Sequence, residues 1–513
     1  MPKMMLMVLF WILAGAVHAQ NIMPLSEIKP GMRGYGLTVF HGTKPEKFDF
    51  KVQGIYTHGP DQYIIVLLSG GPRADGGERY VEQAQVVMGM SGSPLFIDGK
   101  LIGALSGVWG SQKIPQAEVM PIENMLKIKL AAKKADNKFI YNGLPVSKSS
   151  VDRKTAAIKG GETYCTCEVW DERNLCVGYI GNVTFVDPVE SDLFYGLGHS
   201  ATSIKTAGTI DLPFWKGSLV AIIPRTNESK MLVEKVGAML GSVTYNSRFG
   251  QLGKIGVSPK FFPVSIILEN GFSETERFNY FFAYTSNTGS NLAEILAQRA
   301  SSINHLFDVE ENVRIETLGG FVIYYKNTME KVFQLGSGGA APTSEIGLVF
   351  NKLVTEELKP EIKKIEITLK AIPRRKVLKL NSVASDGTIE AGSDYTSLTL
   401  AVTGNSQWET LVALDKKYFD KSLLLARGRE IAVRILADSN QVDSDLLKFL
   451  NSIVDWDALY LYFDDSKNTS GDVLKSGQWR PISRGHHIIG KISPPGGQYR
   501  IEGSLEFSVK KDK

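Results

Sequence analysis

Cysteine is scarce in this chain: its 513 residues include only Cys165, Cys167 and Cys176. An odd number so closely spaced allows one disulfide at most. The spacing predicts a bridge from Cys165 or Cys167 to Cys176 across a local hairpin, with free thiols as the alternative. A three-thiolate metal site would lack a nearby histidine. We therefore expect no metal ion.

The chain also lacks a marked excess of charge of either sign. Its 58 Lys and Arg residues are nearly balanced by 54 Asp and Glu residues, which gives a formal net charge of +4. No dense run of basic residues marks a surface for a polyanion. We therefore expect no nucleic-acid partner. No glycine-rich stretch has the full spacing of a nucleotide-binding loop, and we expect no organic cofactor.

Long apolar runs are absent after the first twenty residues. Lys3, the uncharged stretch Met4–Ala16 and the small-residue site Val17–Ala19 together are typical of a signal peptide cleaved after Ala19. An uncleaved anchor is the alternative, but the stretch is shorter than the roughly 20 residues that a spanning helix needs. We expect an exported protein, periplasmic or extracellular, without a membrane span in its mature form.

What is present is an ordinary globular composition, 43% hydrophobic and 22% charged, in a chain too long for a single core. Short apolar or alternating runs broken by glycine predict a mainly β protein. Beyond the signal peptide at 1–19, we place β-rich halves at 20–135 and 136–290. A helix with a small β-domain follows at 291–403, and an α+β region at 404–513.

Local patterns predict individual elements within these segments. Helical spacing covers Pro121–Ala132, Asn291–Leu306 and Ser444–Val454, whereas Lys364–Lys370 alternates with the period of a half-buried strand.

The strongest chemical signal is the run from Gly89 to Pro94, Gly-Met-Ser-Gly-Ser-Pro, followed by two strands joined at Asp98–Gly99. Flexible glycines on both sides of Ser91 expose its hydroxyl and direct the backbone N–H groups of Gly89 and Ser91 at one point, as an oxyanion hole requires. The run resembles the nucleophile loop of chymotrypsin-like serine proteases, with Ser93 where a second glycine would stand. The nucleophile elbow of α/β-hydrolases is disfavoured, because Ser93 occupies its last glycine position and a strand hairpin follows instead of a helix.

A wider set of segments resembles the SpoIVB peptidase S55 domain family, over roughly residues 28 to 268. The segments that carry the resemblance are Ile28–Phe40, Gly42–Thr43, Pro45–Asp49, Gly89–Pro94, Gly181–Pro188, Tyr195–Ser200 and Gly241–Lys254. The resemblance implies a chymotrypsin-like double β-barrel. It is circularly permuted here, because in the typical family member the Gly-His element precedes the serine turn.

The resemblance also implies roles, with Ser91 as the nucleophile and His199 as its general base. A reversed chain order need not impair the chemistry, since Ser–His pairs occur in several orders on unrelated folds. His41 and His58 precede Ser91 but lie in no family motif, and we interpret them as loop residues. Met90 cannot form the ion pair by which trypsin-like zymogens are activated.

A carboxylate that orients His199 is the remaining member of a triad. The family has an aspartate shortly before the serine turn, and Asp75 is the nearest match. Asp187 and Asp192, closer to His199 in the chain, are alternatives, and some serine proteases function without an acid.

These patterns predict a serine endopeptidase that cleaves a peptide or protein substrate through an acyl-enzyme on Ser91. The alternative is a catalytically inactive, peptidase-like envelope protein that serves as a binding or structural scaffold.

Overall fold

The computed structural model describes most of the chain up to residue 329 and separate strands beyond it. The described ranges are 21–72, 80–108, 113–136, 151, 157–173, 175–201, 208–223, 229–270, 275–303, 307–329, 362–373, 376–379, 382–388, 395–403, 407–415, 422–428, 431–432, 453, 458–464, 486–492, 499–502 and 504–508. The segment 1–19, predicted to be a signal peptide, lies outside them. The chain divides into two compact units, Met1–Phe261 with Phe281–Asn287, and Phe262–Tyr280 with Thr288–Lys513.

The first six strands form a closed antiparallel barrel in the order β1-β2-β3-β6-β5-β4. These strands are β1 (Arg33–Val39), β2 (Pro45–His58), β3 (Asp61–Ser69), β4 (Pro94–Ile97), β5 (Lys100–Gly107) and β6 (Gln116–Pro121). Alternate residues of β2, such as Phe48, Phe50 and Val52, are buried in the core, as the period of a strand requires. Asp98 and Gly99, both at positive φ, form the tight turn between β4 and β5.

Two helices accompany this barrel, α1 (Tyr80–Ala84) and α2 (Ile122–Asp136). The buried side chains of α2 recur every three or four residues, at Ile122, Met125 and Ile128. The sequence pattern thus predicted α2 correctly, although the helix continues to Asp136, beyond the expected end at Ala132.

The next six strands pair in the order β10-β11-β12-β9-β8-β7 within a larger sheet. They are β7 (Thr163–Trp170), β8 (Cys176–Val186), β9 (Leu193–Gly196), β10 (Gly208–Ile223), β11 (Lys230–Ser247) and β12 (Gly250–Ile255). An additional pairing of β10 with β7, at Phe214↔Thr166, joins the two ends of this order into a ring. If the six strands of this ring are numbered one to six along the chain and read from β7, their order is 1-2-3-6-5-4. The first barrel has the same order.

The core of this second ring contains the fully buried rings of Tyr164, Phe194 and Phe214. A disulfide links Cys167 to Cys176 across the β7–β8 hairpin, and Cys165 is a buried free thiol. The disulfide is one of the two pairings that the sequence left open.

The two rings contact each other within the first unit through backbone hydrogen bonds. Gly42 and Leu219 exchange two such bonds, at 2.9 and 2.7 Å. Met88 forms a parallel bridge beside Lys230, in which its N–H donates to Ser229 O and its carbonyl accepts from Met231 N. The hairpin β10–β11 therefore holds the first barrel at two points.

The second unit contains further strands, in both antiparallel and parallel pairs, and one helix whose bounds are described. Its elements are β13 (Phe261–Glu269) and β14 (Thr275–Ala283), at which the units divide, then α3 (Thr288–Ser301), β15 (Phe307–Thr317), β16 (Val322–Met329), β17 (Ile362–Pro373), β18 (Lys376–Lys379), β19 (Ser382–Thr388), β20 (Tyr395–Thr403), β21 (Gln407–Asp415), β22 (Ser422–Arg427), β23 (Leu459–Asp464), β24 (His486–Ile492), β25 (Tyr499–Glu502) and β26 (Leu505–Ser508).

Three sequence predictions fall in this second unit. The predicted helix Asn291–Leu306 corresponds to α3, which begins and ends earlier, and Lys364–Lys370 lies inside β17. The predicted helix Ser444–Val454 lies outside the described residues, apart from Ile453.

The fold is mainly β, with a closed six-stranded barrel and a larger sheet. Among the described helices, none has both the length and the apolar composition for crossing a bilayer.

Candidate active site

Ser91 lies in a tight turn just before β4. Gly89 and Gly92 adopt φ values of +112° and +90°, which favour glycine, so the chain can reverse around Ser91. Inside the turn, Met90 N donates to Val87 O at 3.0 Å and Ser93 N donates to Met90 O at 3.1 Å.

Residues of the second ring form hydrogen bonds to this turn. Asn182, on β8, donates its backbone N–H to Ser91 O at 2.7 Å and its side-chain amide to Gly89 O at 2.9 Å. The Thr184 hydroxyl donates to Gly92 O at 2.8 Å. A Cβ at Gly92 would lie 2.1 Å from Asn182 O, so only glycine permits this approach. The turn is therefore fixed against β8.

His199 lies in a short segment after β9. Leu197 and Gly198 both have positive φ, +65° and +71°, and the buried leucine holds a conformation that bulky side chains avoid. A Cβ on Gly198 would meet Leu105 O, in the first barrel, at 3.0 Å. The missing side chain of Gly198 therefore lets this segment approach the first barrel closely.

The structure brings Ser91 and His199 together. His199 Nε2 lies 2.8 Å from Ser91 Oγ, and His199 Nδ1 lies 2.7 Å from the carbonyl oxygen of Ser200. Because a carbonyl can only accept, Nδ1 carries the proton of the neutral ring and donates it to Ser200 O. Nε2 then has its lone pair free to accept the Ser91 hydroxyl proton.

Burial lowers the pKa of His199 below its ordinary value of 6.5, and the hydrogen bond to Ser200 O offsets this only in part. The ring is therefore neutral at pH 7. A neutral imidazole beside a hydroxyl is the state in which it can serve as a base.

Two backbone N–H groups in the turn, those of Gly89 and Ser91, donate to no group among the described residues. In each of these two peptide groups, the carbonyl oxygen accepts a hydrogen bond. Met88 O accepts from Met231 N at 3.0 Å, and Met90 O accepts from the Ser93 hydroxyl at 2.7 Å. Because C=O and N–H point in opposite directions in a trans peptide, these bonds also fix the direction of the two free N–H groups.

Asp187 and Asp192, two of the carboxylates considered from the sequence, are paired with groups other than His199. Asp75 lies outside the described residues. Asp187 accepts hydrogen bonds from Lys129 Nζ at 2.8 Å and from the N–H groups of Val189 and Glu190, and Asp192 lies 3.7 Å from Lys254 Nζ. Among the described residues, the group that contacts His199 Nδ1 is the Ser200 carbonyl.

Sequence reasoning missed three supporting groups: the Ser200 carbonyl, Asn182 and Asn246. The Asn246 side chain accepts the N–H of Ala201 at 3.0 Å. Both asparagines lie in segments that carry the family resemblance, which was the signal available for finding them. A backbone carbonyl has no sequence signature.

In the described ranges, no group of three His, Cys, Asp or Glu side chains is arranged to hold a metal ion. Comparisons of the chain with family models, with curated proteins and with solved structures return no match.

Proposed function

We propose that this protein is a serine endopeptidase of the SpoIVB S55 type, with Ser91 as nucleophile and His199 as general base. The observation that carries the proposal is the 2.8 Å contact between Ser91 Oγ and His199 Nε2, residues 108 positions apart in the chain. The contact joins a turn of the first barrel to a segment of the second ring. A neutral histidine and a half-buried serine in a turn at this distance form the diagnostic pair of an activated nucleophile.

The fold supports the same proposal. Two six-stranded antiparallel rings with one strand order are the architecture that a chymotrypsin-like double barrel implies. The serine is in the first ring and the histidine in the second, so the pair lies between two rings, in permuted chain order.

The proposed reaction is acyl transfer to water. His199 Nε2 takes the Ser91 hydroxyl proton while Oγ attacks the peptide carbonyl carbon, whose oxygen takes the negative charge. The resulting imidazolium gives that proton to the leaving amine as the C–N bond breaks. Water, deprotonated by the same ring, then attacks the acyl-enzyme and releases the carboxylic acid and free Ser91.

The free N–H groups of Gly89 and Ser91 are the proposed oxyanion hole. They would stabilise the oxygen that becomes negative in the transition state. Their direction is set by Met231 and Ser93 before any substrate binds, so this hole needs no newly cut amino terminus to form. Met90 is fully buried and cannot form an ion pair with a newly cut amino terminus. Its presence before Ser91 is therefore compatible with a hole that forms without such a terminus.

The orienting role assigned to Asp75 remains a prediction. Export to the periplasm or the outside, with a mature chain that begins near Gln20, is part of the proposal. Intact-mass measurement of the exported protein tests it, and retention of Met1 would contradict it.

The decisive test is labelling with a fluorophosphonate, which forms a bond to an activated serine. We expect one label per chain on Ser91, and no label on Ser91→Ala or His199→Ala. Ser26→Ala, which removes an exposed hydroxyl far from the turn in sequence, is the matched control and should label normally. Folded wild-type protein that takes no label and cleaves no peptide would refute the proposal and favour the non-catalytic scaffold.

A further inference from the structure

The peptide bond between residues 200 and 201 is held from both sides. Its carbonyl accepts from His199 Nδ1 at 2.7 Å, while its N–H, which belongs to Ala201, donates to Asn246 Oδ1 at 3.0 Å. The peptide is planar with its C=O and N–H opposed. Fixing the N–H on Asn246 therefore fixes the carbonyl on His199.

Asn246, on β11, is fully buried and its own orientation is defined. The Ala201 N–H can only donate, so the atom facing it must be the side-chain oxygen. The same oxygen accepts from Gln251 Nε2 at 3.2 Å, and Gln251 is held in turn by the hydroxyl groups of Tyr164 and Tyr179, at 2.9 and 2.7 Å. A chain of buried hydrogen bonds thus runs from the interior of the second ring to His199.

The Asn246 side chain is not the choice that stability alone would favour. Its Nδ2 is buried and has no acceptor among the described residues. An unsatisfied buried donor destabilises the folded state. The unpartnered donor is thus a cost that accompanies the placement of the Asn246 oxygen against the Ala201 N–H.

A peptide carbonyl can do part of what a triad carboxylate does. It accepts the Nδ1 proton, which selects the tautomer with a free Nε2, and its partial negative charge stabilises the imidazolium. Donation of the N–H of the same peptide to Asn246 polarises the carbonyl further, since hydrogen bonds in series strengthen one another.

We propose that Asn246 is a positioning residue for His199, acting through the 200–201 peptide, whose carbonyl accepts the hydrogen bond from Nδ1. This inference rests on the proposed function. It extends that function by assigning a role to a side chain that touches neither Ser91 nor the substrate.

The first variant is Asn246→Ala, which removes the acceptor. We expect kcat/KM for peptide cleavage to fall about 10²-fold, the lower end of what a positioned base contributes, with KM nearly unchanged. Asn246→Asp keeps the acceptor oxygen and should restore kcat/KM to within about tenfold. Its added negative charge should also move the acid limb of the pH profile upward. Thr244→Ala is the matched control, because it removes a hydroxyl of the same strand that bonds to Leu252 O; it should behave as wild type.

The second measurement is proton NMR of the His199 Nδ1–H, assigned by its absence in His199→Gln. We expect a hydrogen-bonded, exchange-protected resonance in wild type, in Ser91→Ala and in Asn246→Asp, and its loss in Asn246→Ala. If Asn246→Ala does not fold, Asn246→Asp decides alone. Retention of the resonance supports the inference, and loss from a folded protein overturns it.

Two other results would overturn the inference. One is an Asn246→Ala protein with wild-type kcat/KM and an intact Nδ1–H resonance. The other is loss of that resonance in Asp75→Asn, which would assign the Nδ1 proton to Asp75. Because the resonance is read without substrate, it tests this inference even if fluorophosphonate labelling refutes the peptidase proposal.

Discussion

The segment that carries Ser91 and the segment that carries His199 are held by different means. The serine turn depends on glycine, because Gly92 approaches Asn182 O more closely than any side chain would allow. The histidine segment depends on polar support, because Asn246 holds the peptide that contacts His199 Nδ1. Both use one physical device, in which a bond to one side of a peptide plane directs the group on the other side. In both segments, the contact therefore serves to orient a backbone N–H or carbonyl group.

The largest expected effect tests the close approach, through Gly92→Ala. The new Cβ would collide with Asn182 O, so the turn must move away from β8. We expect kcat/KM to fall at least about 10²-fold, since misplacement of a reacting atom by 1 Å has that effect. The free energy of unfolding, from denaturant titration, should fall by about 2 kcal/mol from overpacking.

Gly31→Ala is the matched control for this variant. Gly31 has a φ of +91°, nearly that of Gly92, but nothing lies within 4 Å of its Cβ position. Gly31→Ala should lower the free energy of unfolding through backbone strain and should leave kcat/KM unchanged. Equal loss of activity in both variants would mean that strain, and not the contact with β8, explains the effect.

A smaller effect is expected from Ser93→Ala, which weakens the hold on Met90 O while the Ser93 N–H bond remains. The free N–H of Ser91 would be less well directed, so we expect kcat to fall about tenfold, below the 10²- to 10³-fold loss from deleting an oxyanion donor outright. Ser106→Ala, on β5, removes a buried hydroxyl that has no partner among the described residues and should keep wild-type kcat. A Ser93→Ala protein with unchanged kcat would show that the N–H bond alone suffices.

The pH profile separates the two segments, because Gly89–Ser93 contains no group that titrates between pH 5 and 8. Burial lowers the pKa of His199, and the base works only when neutral. The acid limb of kcat/KM should therefore have its midpoint below pH 6.5, with full activity at pH 7. A midpoint at or above 6.5 in the free enzyme would contradict the buried, carbonyl-supported state of His199.

The smallest effect concerns Asp187, the carboxylate near His199 in the chain. Burial raises the pKa of Asp187, but hydrogen bonds from Lys129, Glu190 and Val189 outweigh this and leave the pKa below 3.8. Lys129→Met should lower the free energy of unfolding by at most about 1 kcal/mol at pH 7. The difference from wild type should disappear as the pH falls through the folded-state pKa values of Asp187 and Glu190, because Lys129 pairs with both carboxylates and their protonated forms no longer pair.

Asp187→Asn tests directly whether Asp187 supports His199. Because Asp187 is held by Lys129 and backbone N–H groups, we expect kcat/KM to be unchanged. A loss of more than tenfold would return Asp187 to the role of orienting carboxylate.

The sequence predicted the parts of this molecule that depend on local chemistry. The glycines around Ser91, the Asp98–Gly99 turn and the apolar stripe of α2 each carry their structural reason in neighbouring residues. His199 was found because a motif surrounds it. The pairing of β7 with β10, which closes the second ring, has no local signal, because it depends on contacts between distant strands.

The support of His199 could not be predicted for a related reason. The Ser200 carbonyl is a backbone group that every residue has, so no residue type marks it. Asn246 lies 45 positions from Ala201, and the two meet only when β11 takes its register in the ring. A sequence search for side chains that support His199 therefore has no means of finding this peptide group, and the orienting role of Asp75 stays a prediction.

For the proposed peptidase, the position of this support after Ser91 in the chain limits when the serine could act during synthesis. Ser91 leaves the ribosome well before Asn246 and Gln251, and at ordinary elongation rates the interval is about eight to thirty seconds. During that time the serine lacks both its base and the strands that aim the base. A nascent peptidase of this design would be harmless to itself and to neighbouring chains until its second ring has closed.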